Sequence, residues 1–227
     1  MKNINSAAKY LLWLVAIPVC VFIGICVFPA SAHIWISLCV AIFACVPFFI
    51  SFESRKTDNK MLVIISVMVA LSIIGRYAFS FLPHFKPVTA IVIITGLYLG
   101  AEAGFLCGAL SALISNFIFG QGPWTPFQMF AWGVIGLIAA LISRYIKKSK
   151  PLLCLFGALA GTLYSALLDI SATLWYDGAF NLSRYLGLLV TSLPVMAVYA
   201  VSNAIFLILL SSPIGMKLER IKTKYGL

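Results

Sequence analysis

An integral membrane protein built wholly of helices is the fold class the sequence predicts, and three observations predict it. Of 227 residues, 63% are hydrophobic and only 10% charged, whereas an ordinary soluble domain carries about a quarter charged residues; mean hydropathy is +1.08. The apolar residues fall in runs near the length that crosses a bilayer as a helix, about 17 to 25 residues. The basic residues gather in clusters between those runs. A formal charge of +10 does not imply nucleic-acid binding, which needs a basic face on a folded soluble module. No stretch between the apolar runs leaves room for such a module, nor for a cytoplasmic nucleotide-binding or catalytic domain. Any energy used must come from a gradient or a partner.

The first two runs cover 10–28 and 34–52. Lys2, Lys9, the first run and Ala30-Ser31-Ala32 imitate a secretory signal, but the run is longer than a usual signal core and is read as retained. A third run covers 61–82. The stretch 87–119 is too long for one helix, and Gly100-Ala101-Glu102-Ala103-Gly104 interrupts it, which predicts two short helices joined by a tight turn. Runs at 126–142, 152–175 and 185–210 complete eight spans. Lys and Arg near span ends concentrate on the cytoplasmic side. Eight spans put Lys2 and Lys9, Arg55, Lys56 and Lys60, Arg144, Lys147, Lys148 and Lys150, and Lys217, Arg220, Lys222 and Lys224 on that side, 13 of the 16 basic residues. Both termini are then cytoplasmic, and the positive charge serves topology and attraction to anionic lipid.

Catalytic and metal chemistry have little to stand on. Cys20, Cys26, Cys39, Cys45, Cys107 and Cys154 lie in or beside apolar runs without paired spacing and read as small buried hydrophobes. His33 and His84 are isolated in outer loops, and no carboxylate cluster has catalytic spacing. The chain is therefore expected to be no enzyme and to hold no metal.

Ionisable groups inside spans are costly and face a protein interior or an aqueous cavity, so Arg76, Glu102 and Asp169 need explaining. Arg76 and Asp169 each lie six residues before the outer end of a run, about 9 Å deep at about 1.5 Å per residue. Equal depth permits a structural ion pair and equally a ligand-facing polar cluster. Glu102, at a helix start, reads as an interfacial residue favoured by the helix N-terminus.

The outer loops add a second signal. Gly120-Gln121-Gly122-Pro123-Trp124-Thr125-Pro126-Phe127-Gln128-Met129-Phe130-Ala131-Trp132 brings Trp, Gln and Thr to the outer face of a helix, with Asn116 just before it. An aromatic belt accounts for Trp at an interface but not for Asn and Gln one or two turns into a span; an apolar pocket with a few convergent polar groups accounts for both. The segments 79–86 and 175–181 repeat this mixture. The inner halves carry small residues four apart, Ser66 and Ala70, Gly104, Gly108 and Ala112, and Gly157 and Gly161, a spacing that lets helices approach closely.

A core at 61–212 with Ser66-Val67-Met68-Val69-Ala70, Arg76-Tyr77-Ala78-Phe79, Lys86-Pro87-Val88-Thr89-Ala90 and Gln121-Gly122-Pro123-Trp124-Thr125-Pro126 resembles the substrate-binding S components of energy-coupling factor (ECF) vitamin transporters. The resemblance implies a six-helix core holding a vitamin-like molecule near its outer face, with residues 1–60 forming two additional N-terminal helices and a cytoplasmic loop, and 213–227 a basic cytoplasmic tail. It implies a bacterial cytoplasmic membrane location, a membrane coupling subunit and two cytoplasmic ATPases that use ATP, no cofactor in this chain, and toppling in the membrane to release substrate. The Ala-x-x-x-Ala coupling motif falls on Ser66 and Ala70, with Ser replacing the first Ala. Substrate-binding residues carried over by position are Arg76, Tyr77, Asn116, Gln121, Trp124, Gln128, Trp132, Asp169, Trp175 and Asn203. A cobalamin-type compound is the leading expectation for the substrate, with thiamine precursors, pantothenate, riboflavin and queuosine precursors open. The rival reading is a self-sufficient secondary transporter or channel in which Arg76 and Asp169 form a coupling pair.

Overall fold

The computed structural model describes residues 59–226, preceded by Cys39, Ile42, Phe43, Cys45 and Val46. The expected spans at 10–28 and 34–52, with His33, Cys20, Cys26 and Ala30-Ser31-Ala32, otherwise lie outside the described residues. From residue 59 onward the regular structure is helical: α1 Asn59–Ala78, α2 Val88–Leu99, α3 Ala101–Phe119, α4 Trp124–Leu141, α5 Ser143–Ile146, α6 Lys150–Asp177, α7 Leu182–Thr191 and α8 Leu193–Tyr225. Helices α1, α3, α4, α6 and α8 are long and apolar enough to cross a membrane. Helix α2 has 12 residues, about 18 Å.

The expected break in 87–119 is present at Gly100, whose φ of +98° suits a residue without a Cβ. Helix α2 is buried continuously from Val88 to Leu97, the pattern of a helix enclosed on every side. Its neighbours close on it through glycine. A methyl on Gly104 would stand 2.7 Å from the Gly136 carbonyl oxygen and 2.7 Å from the Gly96 Cα, so α2, α3 and α4 meet almost backbone to backbone. Gly161 does the same for α6 and α8, where a methyl would reach 2.8 Å from Tyr199 Cβ. Two of the three small-residue spacings thus pack helices within the chain.

Two boundaries depart from the sequence expectation. The run 185–210 is divided: α7 ends at Thr191, and α8 starts at Leu193 with Pro194 in its first turn, where the missing amide costs nothing. Helix α8 then continues to Tyr225 through Pro213, so the residues expected as a tail are helical. Helix α1 stops at Ala78, four residues before the expected end at 82, and a loop lined by Phe79, Phe81, His84 and Phe85 follows. Phe206 of α8 holds that loop, with ring centroids 5.0 Å from Phe79 and 5.2 Å from Phe85.

One end of the bundle is basic. Lys147 Nζ lies 3.2 Å from Glu219 Oε1 and 3.9 Å from the Tyr98 ring centroid; Lys222 Nζ donates to the Tyr98 carbonyl at 3.0 Å. The C-terminal ends of α1, α3 and α6 and the N-terminal ends of α2, α4 and α8 assemble at the opposite end, and there the polar side chains collect.

Candidate functional site

Arg76 anchors the site. It sits in the last turn of α1 at only 9% exposure. Its Nη1 donates to Ser115 Oγ and, at 2.9 Å, to Asn116 Oδ1 on α3. Asn116 passes the arrangement on: its Nδ2 donates to Thr125 Oγ1 at 2.9 Å and to Gln128 Oε1 at 2.8 Å, both on α4. Thr125 Oγ1 donates to Gln121 Oε1 at 2.9 Å, and Gln121 Nε2 ends the chain on the Leu113 carbonyl at 3.0 Å. Asn116 and Gln121 each have the amide oxygen toward a donor and the nitrogen toward an acceptor, so one set of orientations satisfies both. Such a network is rigid while complete and costly when broken.

An aromatic wall adjoins these groups. Trp132 is stacked on Tyr164, with centroids 4.8 Å apart at 14°, and its indole Nε1 donates to Thr89 Oγ1 at 3.2 Å. Tyr199 meets Tyr164 edge-on at 5.4 Å, and its hydroxyl lies 3.3 Å from His84 Nδ1. The Arg76 guanidinium carbon is 4.6 Å from the Phe119 centroid and 5.3 Å from that of Trp132. Lys86 Nζ lies 5.3 Å from the same Phe119 ring, and Ser202 Oγ holds the Lys86 carbonyl at 3.2 Å. Burial, then the neighbouring Arg76 charge, pull the Lys86 ammonium below its ordinary pKa; burial, then Lys86, do the same to the His84 imidazole. The arrangement sets closely packed aromatic rings, with Trp132 and Tyr164 both buried, beside cationic donors suited to an electron-rich group.

Of the residues expected from the sequence, Arg76, Asn116, Gln121, Gln128 and Trp132 come together here. Trp124 lies beside them, with its ring against Gly122. Tyr77 and Trp175 are 62% and 57% exposed. Asn203 is fully buried and ties α8 to α6 by donating to the Gly157 carbonyl at 2.9 Å. Arg76 and Asp169 do not pair: Asp169 Oδ1 accepts from Ser192 Oγ at 3.1 Å, at the α7–α8 break. Glu102 lies in the first turn of α3, at the basic end. Ser66 and Ala70 are exposed on α1. Thr125, expected at the outer face of the helix, joins the Arg76 network, whereas Thr89, Ser115, Phe119, Tyr164 and Tyr199 were not among the expected site residues. Tyr164 and Tyr199 carried a signal, since both lie well inside apolar runs rather than at an interfacial belt.

A helical multi-pass membrane protein with a polar and aromatic cluster at one end of its bundle is the class these features define. Residues 56–220 match the family model described as ECF-type riboflavin transporter, S component, and the chain belongs to that family. A UPF0397 protein of Clostridium perfringens is 32% identical over 102 residues, covering 42% of this chain. The chain spans about half the length of that curated relative, 54%. No solved structure matches.

Proposed function

We propose that the chain is the high-affinity substrate-binding membrane subunit of an ECF-type importer for a vitamin or related micronutrient. The observation that carries the reading is the convergence of Arg76, Asn116, Gln128, Trp132 and Tyr164 from α1, α3, α4 and α6. A basic end facing the cytoplasm, as the positive-inside rule favours, supports the reading that this cluster opens toward the outer side of a bacterial cytoplasmic membrane. The family description names riboflavin, and the cobalamin-type expectation finds no support in it. A flavin-type ring system suits the stacked wall of Trp132 and Tyr164.

Transport then rests on partners: a membrane coupling subunit and two cytoplasmic ATPases. Ser66 and Ala70 supply a docking face on α1, flanked by the exposed apolar side chains of Val63, Val67 and Ile74. The rival reading of a self-sufficient transporter relied on an Arg76–Asp169 pair, and those residues have separate partners.

Two measurements test the proposal. Mass spectrometry of the detergent-solubilised protein should find a stoichiometric vitamin-like compound carried through purification. Vesicles holding this chain alone should take up no riboflavin, and co-reconstitution with the coupling subunit and ATPases should start uptake. Uptake by the chain alone would overturn the assignment.

A further inference from the structure

Among the described residues, Arg76 and Lys86 form a cationic pair without a counter-charge. Both face the Phe119 ring, which limits the separation of their charged groups to about 10 Å. Each described carboxylate is engaged or placed elsewhere: Asp177 with Arg184 at 2.7 Å, Glu219 with Lys147 at 3.2 Å, Asp169 with Ser192, and Glu102 at the other end of the bundle. Among the described residues, the Arg76 Nε and Nη2 and the Lys86 Nζ meet no hydrogen-bond acceptor. Their surroundings are Phe119, Trp132 and the phenols of Tyr164 and Tyr199. For Arg76, buried among these rings, an unmatched charge is expensive unless an opposite charge joins it; Lys86, half-buried in the loop, adds a second positive charge beside it.

We infer that the substrate is an oxyanion attached to a planar ring system, its anionic group seated between Arg76 and Lys86 and its ring against the Trp132–Tyr164 wall. This inference rests on the substrate-binding reading above and narrows it. A neutral ligand leaves both cations unmatched, whereas a phosphate or carboxylate accepts the forked N–H groups of Arg76 and the point charge of Lys86. The Asn116 and Ser115 bonds to Nη1 fix the guanidinium plane and leave the other nitrogens for the ligand.

The test compares ligands that share one ring. Affinities of the purified full chain are measured for riboflavin, riboflavin 5′-phosphate and a 10-carboxymethyl flavin, in the wild type, Lys86→Gln and Lys86→Arg. The expected result is a preference for at least one anionic flavin over riboflavin of about tenfold or more, the scale of a charged hydrogen bond. That ratio should fall toward one in Lys86→Gln, return in Lys86→Arg, and weaken with added salt. Which anionic flavin wins separates phosphate from carboxylate. Equal affinities, a preference for riboflavin, or a ratio unchanged in Lys86→Gln would overturn the inference. If no flavin binds, the flavin reading fails by itself, and the charge of the co-purified ligand decides: an oxyanion supports the inference and a neutral or cationic compound overturns it. A preparation that carries no ligand and binds no flavin overturns both proposals.

Discussion

The partner of a buried charge depends on azimuth as much as on depth. Arg76 and Asp169 were matched in depth by counting residues from the ends of their runs, but each residue turns a helix by about 100°, and counting does not say which neighbour a side chain meets. Arg76 meets α3 and α4; Asp169 meets the α7–α8 junction. Substitutions should separate the two. Asn116→Ala removes one of two partners from the Arg76 Nη1, which keeps Ser115, and one from the Thr125 hydroxyl, which keeps Gln121, and it leaves the Gln128 carbonyl without its donor; a buried unsatisfied group costs about 1–3 kcal/mol. Lower thermal stability in detergent, together with ligand affinity reduced about tenfold or more, is the expected outcome. Asp169→Asn keeps an acceptor for Ser192 and should change ligand affinity by less than about twofold, since a single neutral-site change away from a ligand alters binding little. A matched loss of affinity in both variants would place Asp169 in the site.

At the scale of helices, hydropathy and punctuation made much of the fold legible. Gly100 marked the turn between α2 and α3, and the spacing of Gly104 with Gly108 and of Gly157 with Gly161 marked close crossings. The division at Ser192 was hidden because α7 and α8 are both apolar enough to read as one run, with Pro194 the only local cue. The extension of α8 to Tyr225 was hidden for the opposite reason: charged residues such as Lys217 and Glu219 end an apolar run without ending a helix. Gly136 tests the crossing most directly. Its Cα faces the Gly104 carbonyl, and Gly136→Val would force α3 and α4 apart. Overpacking of this kind commonly costs about 1–3 kcal/mol, occasionally more, and should lower the yield of folded protein in a detergent gel-filtration assay. Leu141→Val, at a partly exposed end of the same helix, should not.

The whole molecule divides its tasks between its surfaces. The polar and aromatic cluster occupies one end of the bundle, the basic cluster the other, and α1 turns Ser66 and Ala70 outward along its length. Ser66→Trp should therefore leave ligand affinity intact while stopping uptake in vesicles that contain the coupling subunit and ATPases; normal uptake would remove that face from the coupling surface. Charge clustering and aromatic composition pointed to the end that holds the polar and aromatic cluster; the tyrosines, marked only by their position well inside apolar runs, owe their place in it to ring contacts between α6 and α8 that local sequence does not specify. The stack of Trp132 on Tyr164 has an optical meaning as well. Tyr164 can hand its excitation to an indole it almost touches, and that indole emits where a flavin absorbs. The wall thus contains its own donor and acceptor for resonance energy transfer, and arrival of a flavin would darken tryptophan emission, that of Trp132 most strongly.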